Sequence, residues 1–317
     1  MKPYKRLNWN GVFVLILFLL IISCKGDKKQ DQKEVEQLIK DPVIEVITNN
    51  MEFQMPDTIP SGWNTFRYIN KSTQTHFFTI EKYPEGKTLE DVKELVIPYF
   101  DSGMKFINEG KPEEGFAEFG KLPEWFSEVK ILGGVALLSP GVTGETTMRL
   151  DPGNYFIECY VKMSNGVFHA SVGMFDEFYV SGSNSGNTEP TADYSIELSS
   201  TDGIVLKDKL KAGNASFSVF FKDQIVHENF AGHDVNLAKI DDSADLEEIE
   251  SWMNWADPKG LIEPAPKGIT FLGGVNNMPA GERAYFKANL DQGKYILIAE
   301  VPNAKSKNML KVIDVSN

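Results

Sequence analysis

Histidine and cysteine are scarce in this chain. Its 317 residues include four of the first, His76, His169, His227 and His233, and two of the second, Cys24 and Cys159. So small and widely spaced a set excludes a disulfide scaffold and a multi-cysteine zinc cluster. Positive charge is short as well: 32 Lys and Arg stand against 45 Asp and Glu, for a formal net charge of −13. A phosphate backbone would repel such a chain, which argues against a nucleic-acid partner. Gly-rich phosphate loops, a nucleophile elbow and a His-Glu zinc helix are all missing. The longest apolar run, Val12 to Ile22, has eleven residues, where a bilayer span needs about 20. What is present is a globular mixture, 42% hydrophobic and 24% charged. Its length suits two domains of about 150 residues.

Residues 1–23 read as an address. Lys2, Lys5 and Arg6 make a basic start, and the short apolar run that follows suits a secretory leader better than an uncleaved anchor. The run closes in Ile21-Ile22-Ser23-Cys24, which resembles the lipobox of bacterial lipoproteins. That resemblance implies cleavage before Cys24 and acylation of its sulfur and new amino terminus. Residues 24–40 then form a polar tether with almost nothing to bury. The expected location is the cell envelope, held by membrane lipid through Cys24 on a periplasmic or cell-surface face. Acylation of Cys24 leaves Cys159 without a disulfide partner in the chain. A lone thiol in an oxidising compartment must be buried, paired between chains or held by a metal.

Beyond the tether the sequence repeats itself. Leu132-Gly133-Gly134-Val135 returns as Leu272-Gly273-Gly274-Val275, and Leu150-Asp151-Pro152-Gly153-Asn154-Tyr155 as Leu290-Asp291-Gln292-Gly293-Lys294-Tyr295, both shifted by 140. His76 matches His233 at a shift of 157, and Gly62 and Phe66 match Gly213 and Phe217 at 151. A constant order with drifting shifts is the mark of an internal duplication. The expected domains are 41–180 and 194–317, joined by a linker at 181–193 that opens Ser181-Gly182-Ser183-Asn184. Each half alternates as strand. Tyr155, Ile157, Cys159 and Val161 share one face, and turn signals sit at Pro152-Gly153 and Ser164-Asn165-Gly166. One helix interrupts each half: Thr88 can cap Leu89 to Val96, and Ser243 or Asp245 can open Leu246 to Met253. The fold class is therefore all-β, two tandem Greek-key β-sandwiches with one inserted helix each.

The first half carries His76, then Cys159, His169 and Met174 in the pattern Cys-x9-His-x4-Met before a closing strand. This order resembles the type 1 copper site of the cupredoxin family, the plastocyanin and azurin type. Such a site asks for one thiolate and two imidazoles in a trigonal plane with a weak axial thioether. The resemblance implies one copper ion in the first half, held by His76, Cys159, His169 and Met174, and serving electron transfer or copper handling with a redox or copper-donor protein. Nine residues between Cys159 and His169 exceed the spacing of small cupredoxins and resemble the longer loop of two-domain copper nitrite reductases.

The second half has Ala299 where the first has Cys159 and lacks the His-x4-Met arrangement, so it reads as a degenerate, metal-free copy with Met309 matching Met174. Enzyme activity is not expected. Nitrite reduction would need a second copper on three further histidines, and only His227 and His233 remain. Glu158 also stands where that family has a His before the ligand Cys. The competing reading is a metal-free module whose sandwich loops hold a protein or glycan partner, with Cys159 and Met174 as packing.

Overall fold

The computed structural model describes residues 43–317 apart from 229 and 230. Cys24, the leader and the whole of the tether lie outside the described residues. No helix among the described residues is long and apolar enough to cross a membrane.

Alternating apolar residues become strands where the turn residues permit. The first half supplies β1 (Val43–Thr48), β2 (Thr58–Asn70), β3 (His76–Lys82), β4 (Lys130–Leu138), β5 (Thr143–Leu150), β6 (Gly153–Glu158) and β7 (Phe175–Asn184). The second supplies β8 (Tyr194–Ser199), β9 (Gly203–Leu206), β10 (Gly213–Phe221), β11 (Val235–Ile240), β12 (Ile269–Val275), β13 (Arg283–Leu290), β14 (Gly293–Ile298) and β15 (Leu310–Val315). They stack as two layers. One runs β1-β2-β5-β13-β10-β8-β9, the other β7-β6-β3-β4-β12-β11-β14-β15. β2 belongs to both, pairing with β7 over Thr58–Ser61 and with β5 from Gly62 onward. Phe66 and Tyr68 of one layer meet Phe78 of the other at ring distances of 5.8 and 5.2 Å, and all three are wholly buried. The chain is an all-β sandwich.

The repeated landmarks occupy repeated places. Gly62 pairs with Leu150 and Phe66 with Thr146, while Gly213 pairs with Leu290 and Phe217 with Phe286. Thr79 pairs with Glu158 as Asn236 pairs with Ile298. The halves meet edge to edge. β4 pairs with β12 through Val135 and Val275, and β5 with β13 through Thr146 and Phe286. In both seams a residue faces its own counterpart at the 140-residue shift, as a two-fold axis between the halves requires. The recurrent Leu-Gly-Gly-Val motif is explained here. Gly134 and Gly274 have φ of +152° and +143°, and a Cβ on them would overlap the carbonyl oxygens of Phe78 and Val235. Only glycine lets the neighbouring strand approach this closely.

Three differences from the sequence reading stand out. Buried side chains of both halves form one contiguous cluster, from Phe66 and Phe78 to Phe217 and Tyr295, so the seams are core and not the surfaces of two separate bodies. The stretch read as linker begins as strand: β7 continues to Asn184, and Ser185 Oγ donates to the carbonyl of Trp63 at 2.8 Å. The first half also carries three α-helices where one was expected: α1 (Leu89–Leu95), α2 (Ile97–Asn108) and α3 (Pro112–Phe119), followed by a 3-10 turn at Glu124–Glu128. α1 has the expected Thr88 cap, closed as a box with Asp91. Pro98 at the start of α2 and Pro112 at the start of α3 break what would otherwise be a longer helix. This insertion covers a smaller apolar cluster of Tyr83, Val92, Val96, Phe156 and Phe175. The second half has the single expected helix, α4 (Leu246–Met253), capped by Asp245.

Candidate metal centre

His76 opens β3, and the turn before it is pinned at several points. Asn70 Nδ2 donates to the carbonyls of Gln74 and Leu138 at 2.8 and 2.9 Å, and the Thr75 amide donates to Glu263 Oε1 at 2.8 Å. Cys159 is the first residue beyond β6, and its amide donates to the Met174 carbonyl at 3.1 Å. The nine residues that follow do not wander. Met163 and Val167 close a turn at Asn165-Gly166, Lys162 bridges to Phe168, and the His169 amide donates to Val161 O at 2.8 Å. This small hairpin returns His169 to Cys159, which is how the long spacing is accommodated. The Met174 amide then donates to the His169 carbonyl at 2.9 Å. That last turn depends on Gly173, whose φ is +130° and where a Cβ would overlap the Met51 carbonyl.

Three donor atoms converge. Cys159 Sγ lies 3.8 Å from His76 Nδ1 and 3.7 Å from His169 Nδ1, and the two Nδ1 atoms are 3.1 Å apart. All three residues are fully buried, and they form the one group of this kind among the described residues. Met174 is buried too, and its backbone bonds join it to Cys159 and His169. A cation bonded to imidazole nitrogens at about 2.0–2.1 Å and to a thiolate at about 2.3 Å spans gaps of this size with angles of roughly 100–120°. The donor set also fits the His2Cys trigonal chemistry of a copper site. Burial pushes His76 down to about 4 and, helped by the neighbouring His76, His169 to about 3. Both rings are therefore neutral at neutral pH, as ligands must be. Burial pushes the Cys159 thiol up, while the amides of Phe77 and Val161 donate toward its sulfur and favour the thiolate.

Half two buttresses this loop. The Lys162 amide donates to Leu261 O at 2.8 Å, the Glu263 amide to Lys162 O at 2.9 Å, and Tyr160 Oη to Glu300 Oε2 at 3.0 Å. Tyr160 packs on Trp255 with ring centroids 4.3 Å apart. Lys162 is buried with its ammonium 4.8 Å from the Trp255 ring and 2.5 Å from the Gly260 carbonyl. Burial brings its pKa down to about 7.

The sequence reading passed over several buried charges. Glu81 and Glu158 share a hydrogen bond, and burial raises both, Glu81 to about 7. Burial likewise raises Asp234 to about 7 and Glu300 well above the usual carboxylate range. Their signal was available: each is an acid inside or just beside an apolar strand, where a carboxylate is out of place unless partnered.

Half two keeps the frame of the site without its donors. The Ala299 amide donates to Met309 O at 3.0 Å, as Cys159 does to Met174, and the Met309 amide donates to Ala304 O at 2.7 Å, as Met174 does to His169. Ala299 and Ala304 thus stand where half one has Cys159 and His169. His233 sits just before β11, and His227 lies in the loop leading to it.

No family model matches the chain, and no curated sequence is similar to it. Solved structures do match. The dithionite-reduced auracyanin of Roseiflexus castenholzii is 22% identical over 44% of this chain and 98% of its own, with a TM-score of 0.28. Auracyanin A, described as a "blue" copper protein of Chloroflexus aurantiacus, is 18% identical over 44% and 98%, with a TM-score of 0.27. The copper nitrite reductase of Nitrosomonas europaea is 12% identical over 87% and 93%, with a TM-score of 0.21. The chain is similar to these proteins as the cupredoxin resemblance led us to expect. At scores this low the likeness adds nothing about the site, whose reading rests on its own side chains.

Proposed function

We propose that this chain is a membrane-anchored, cupredoxin-like lipoprotein that holds one type 1-like copper ion in its first half, for electron transfer or copper handling. His76 Nδ1, His169 Nδ1 and Cys159 Sγ are the ligands in this reading, with Met174 as the weak axial donor. The observation that carries it is the closure of those three atoms to within 3.1–3.8 Å of one another in a fully buried setting. Copper bound there supplies one-electron chemistry. The chain's own part is to fix the ligands beforehand and keep water out, which lowers the reorganisation that accompanies electron transfer. Phe77 and Val161 contribute amide donors to the sulfur, and these tune the potential. The second half acts as a structural copy that braces the ligand hairpin through Leu261, Glu263 and Glu300.

The lipid anchor at Cys24, the envelope location and a redox or copper-donor partner belong to the same reading. The anchor and the location rest on the lipobox-like Ile21-Ile22-Ser23-Cys24, and the partner follows from the proposed copper site.

Copper titration of the purified protein tests the proposal. The expected outcome is one saturable coloured equivalent, blue from thiolate-to-copper charge transfer, that is lost in Cys159→Ala while the fold survives. Ala299 at the counterpart position shows that this strand end accepts alanine. Met174→Leu should keep the colour and move the reduction potential. A wild type that stays colourless through saturation would overturn the proposal and favour a metal-free binding module.

A further inference from the structure

All four histidines of the chain stand in pairs. His76 and His169 form one, with Nδ1 atoms 3.1 Å apart and ring centroids 4.7 Å apart. His227 and His233 form the other, with Nε2 atoms 3.1 Å apart and ring centroids 5.2 Å apart. We propose that His227 and His233 make a second metal site, free of thiolate, for a borderline divalent cation of the copper or zinc class.

The geometry supports cis coordination. Two imidazole nitrogens bonded at about 2.0–2.1 Å and separated by this distance subtend roughly 100° at the ion, between the square-planar and tetrahedral values. Two-coordinate linear binding, as of a cuprous ion, would need a wider separation. Water or a partner's side chain would complete the shell, because His227 is only half-buried whereas His233 is fully buried.

The charges around the pair are mixed, with the Lys307 ammonium outweighing Glu228 at His227 and the Asp223 carboxylate facing His233. Burial lowers both rings, His233 to about 4, so neutral imidazoles face each other at neutral pH.

His233 is also held rigidly. Its amide donates to Gln224 Oε1 at 2.6 Å, and Gln224 Nε2 donates to its carbonyl at 2.9 Å. A bare pair needs one N–H···N bond, and His233 Nδ1 is buried without a protein partner with or without an ion. Placing both Nε2 lone pairs on an ion fixes the proton of each ring on Nδ1. The pair lies at the end of half two that corresponds to the copper position of half one, where Ala299 and Ala304 have removed the other donors. It is a different site from the one those residues once framed, because it uses the opposite ring nitrogen of His233.

The test uses the full chain and Cu(II), read by electron paramagnetic resonance and by colour. Wild type is expected to take two equivalents, one coloured and one with the colourless signature of imidazole-only copper. His227→Ala should bind only the coloured one. Cys159→Ala combined with His169→Ala gives half one the residues of half two and should keep the colourless equivalent, which His227→Ala then removes. The proposal is overturned if wild type saturates at a single coloured equivalent, or if a second equivalent survives His227→Ala. A single colourless equivalent that His227→Ala abolishes would support this site and remove the thiolate site instead, so the two readings fail separately.

Discussion

Lys162 shows how much one residue near the centre constrains the chemistry around it. Its ammonium is buried against Trp255 and the Gly260 carbonyl, and burial brings its pKa from the ordinary 10.5 to about 7. Between those values the unfolded chain binds a proton that the folded one does not, so this residue makes stability rise with pH from about 7 to about 10.5. The slope is at most about 1.4 kcal/mol per pH unit. Lys162→Met keeps the packing against Trp255 and should flatten that rise in denaturant melts. A wild-type curve with the same slope as the mutant would mean that the amine stays charged. Legibility at this scale followed chemistry. His76, Cys159, His169 and Met174 could be singled out because few residue types bind soft metals and their order is informative. His227 and His233 could not, because six positions of loop carry no periodicity that says two rings will meet.

Among the elements, the ligand hairpin from Cys159 to Met174 is the one on which the site depends. Its length exceeds the spacing of small cupredoxins, and the Asn165-Gly166 turn and the Lys162–Phe168 bridge fold it back on itself. Gly173 closes it at a φ of +130° against the Met51 carbonyl. Gly173→Ala should therefore cost about 1–3 kcal/mol and weaken copper binding, because the strain falls between two ligands. Equal stability and equal copper affinity in the variant would show that the turn is not fixed this way. The strands were readable from alternation and from Pro-Gly and Asn-Gly punctuation. α1 and α4 were readable from the caps Thr88 and Asp245. α2 and α3 were not, since Pro98 and Pro112 look like breakers in a sequence, whereas in the fold they start helices. The polar look of Ser181 to Asn184 hid a strand edge, because exposed positions of a strand need not be apolar.

The whole molecule is held together by its seams. The repeats were plain in the sequence, but nothing in them says that two sandwiches share both layers. That is made by the pairings of β4 with β12 and of β5 with β13, while the glycines at 134 and 274 let β3 and β11 pack closely within each half. Since β4–β12 and β5–β13 join the halves through buried residues, calorimetry should show one cooperative transition for residues 43–317. Gly134→Ala should lower its midpoint without splitting it. Two resolved transitions would mean that the halves fold as separate bodies. The shared core also gives half two a reason to persist without a thiolate: it braces the hairpin that carries the ligands of half one.

The shell around the metal itself is the most direct measurement. Copper-edge X-ray absorption on the full chain, loaded with one equivalent, should find one short sulfur neighbour and two imidazole nitrogens, with the sulfur lost in Cys159→Ala. A wild-type shell of nitrogen and oxygen alone, unchanged by Cys159→Ala, would contradict a thiolate site at His76, Cys159 and His169.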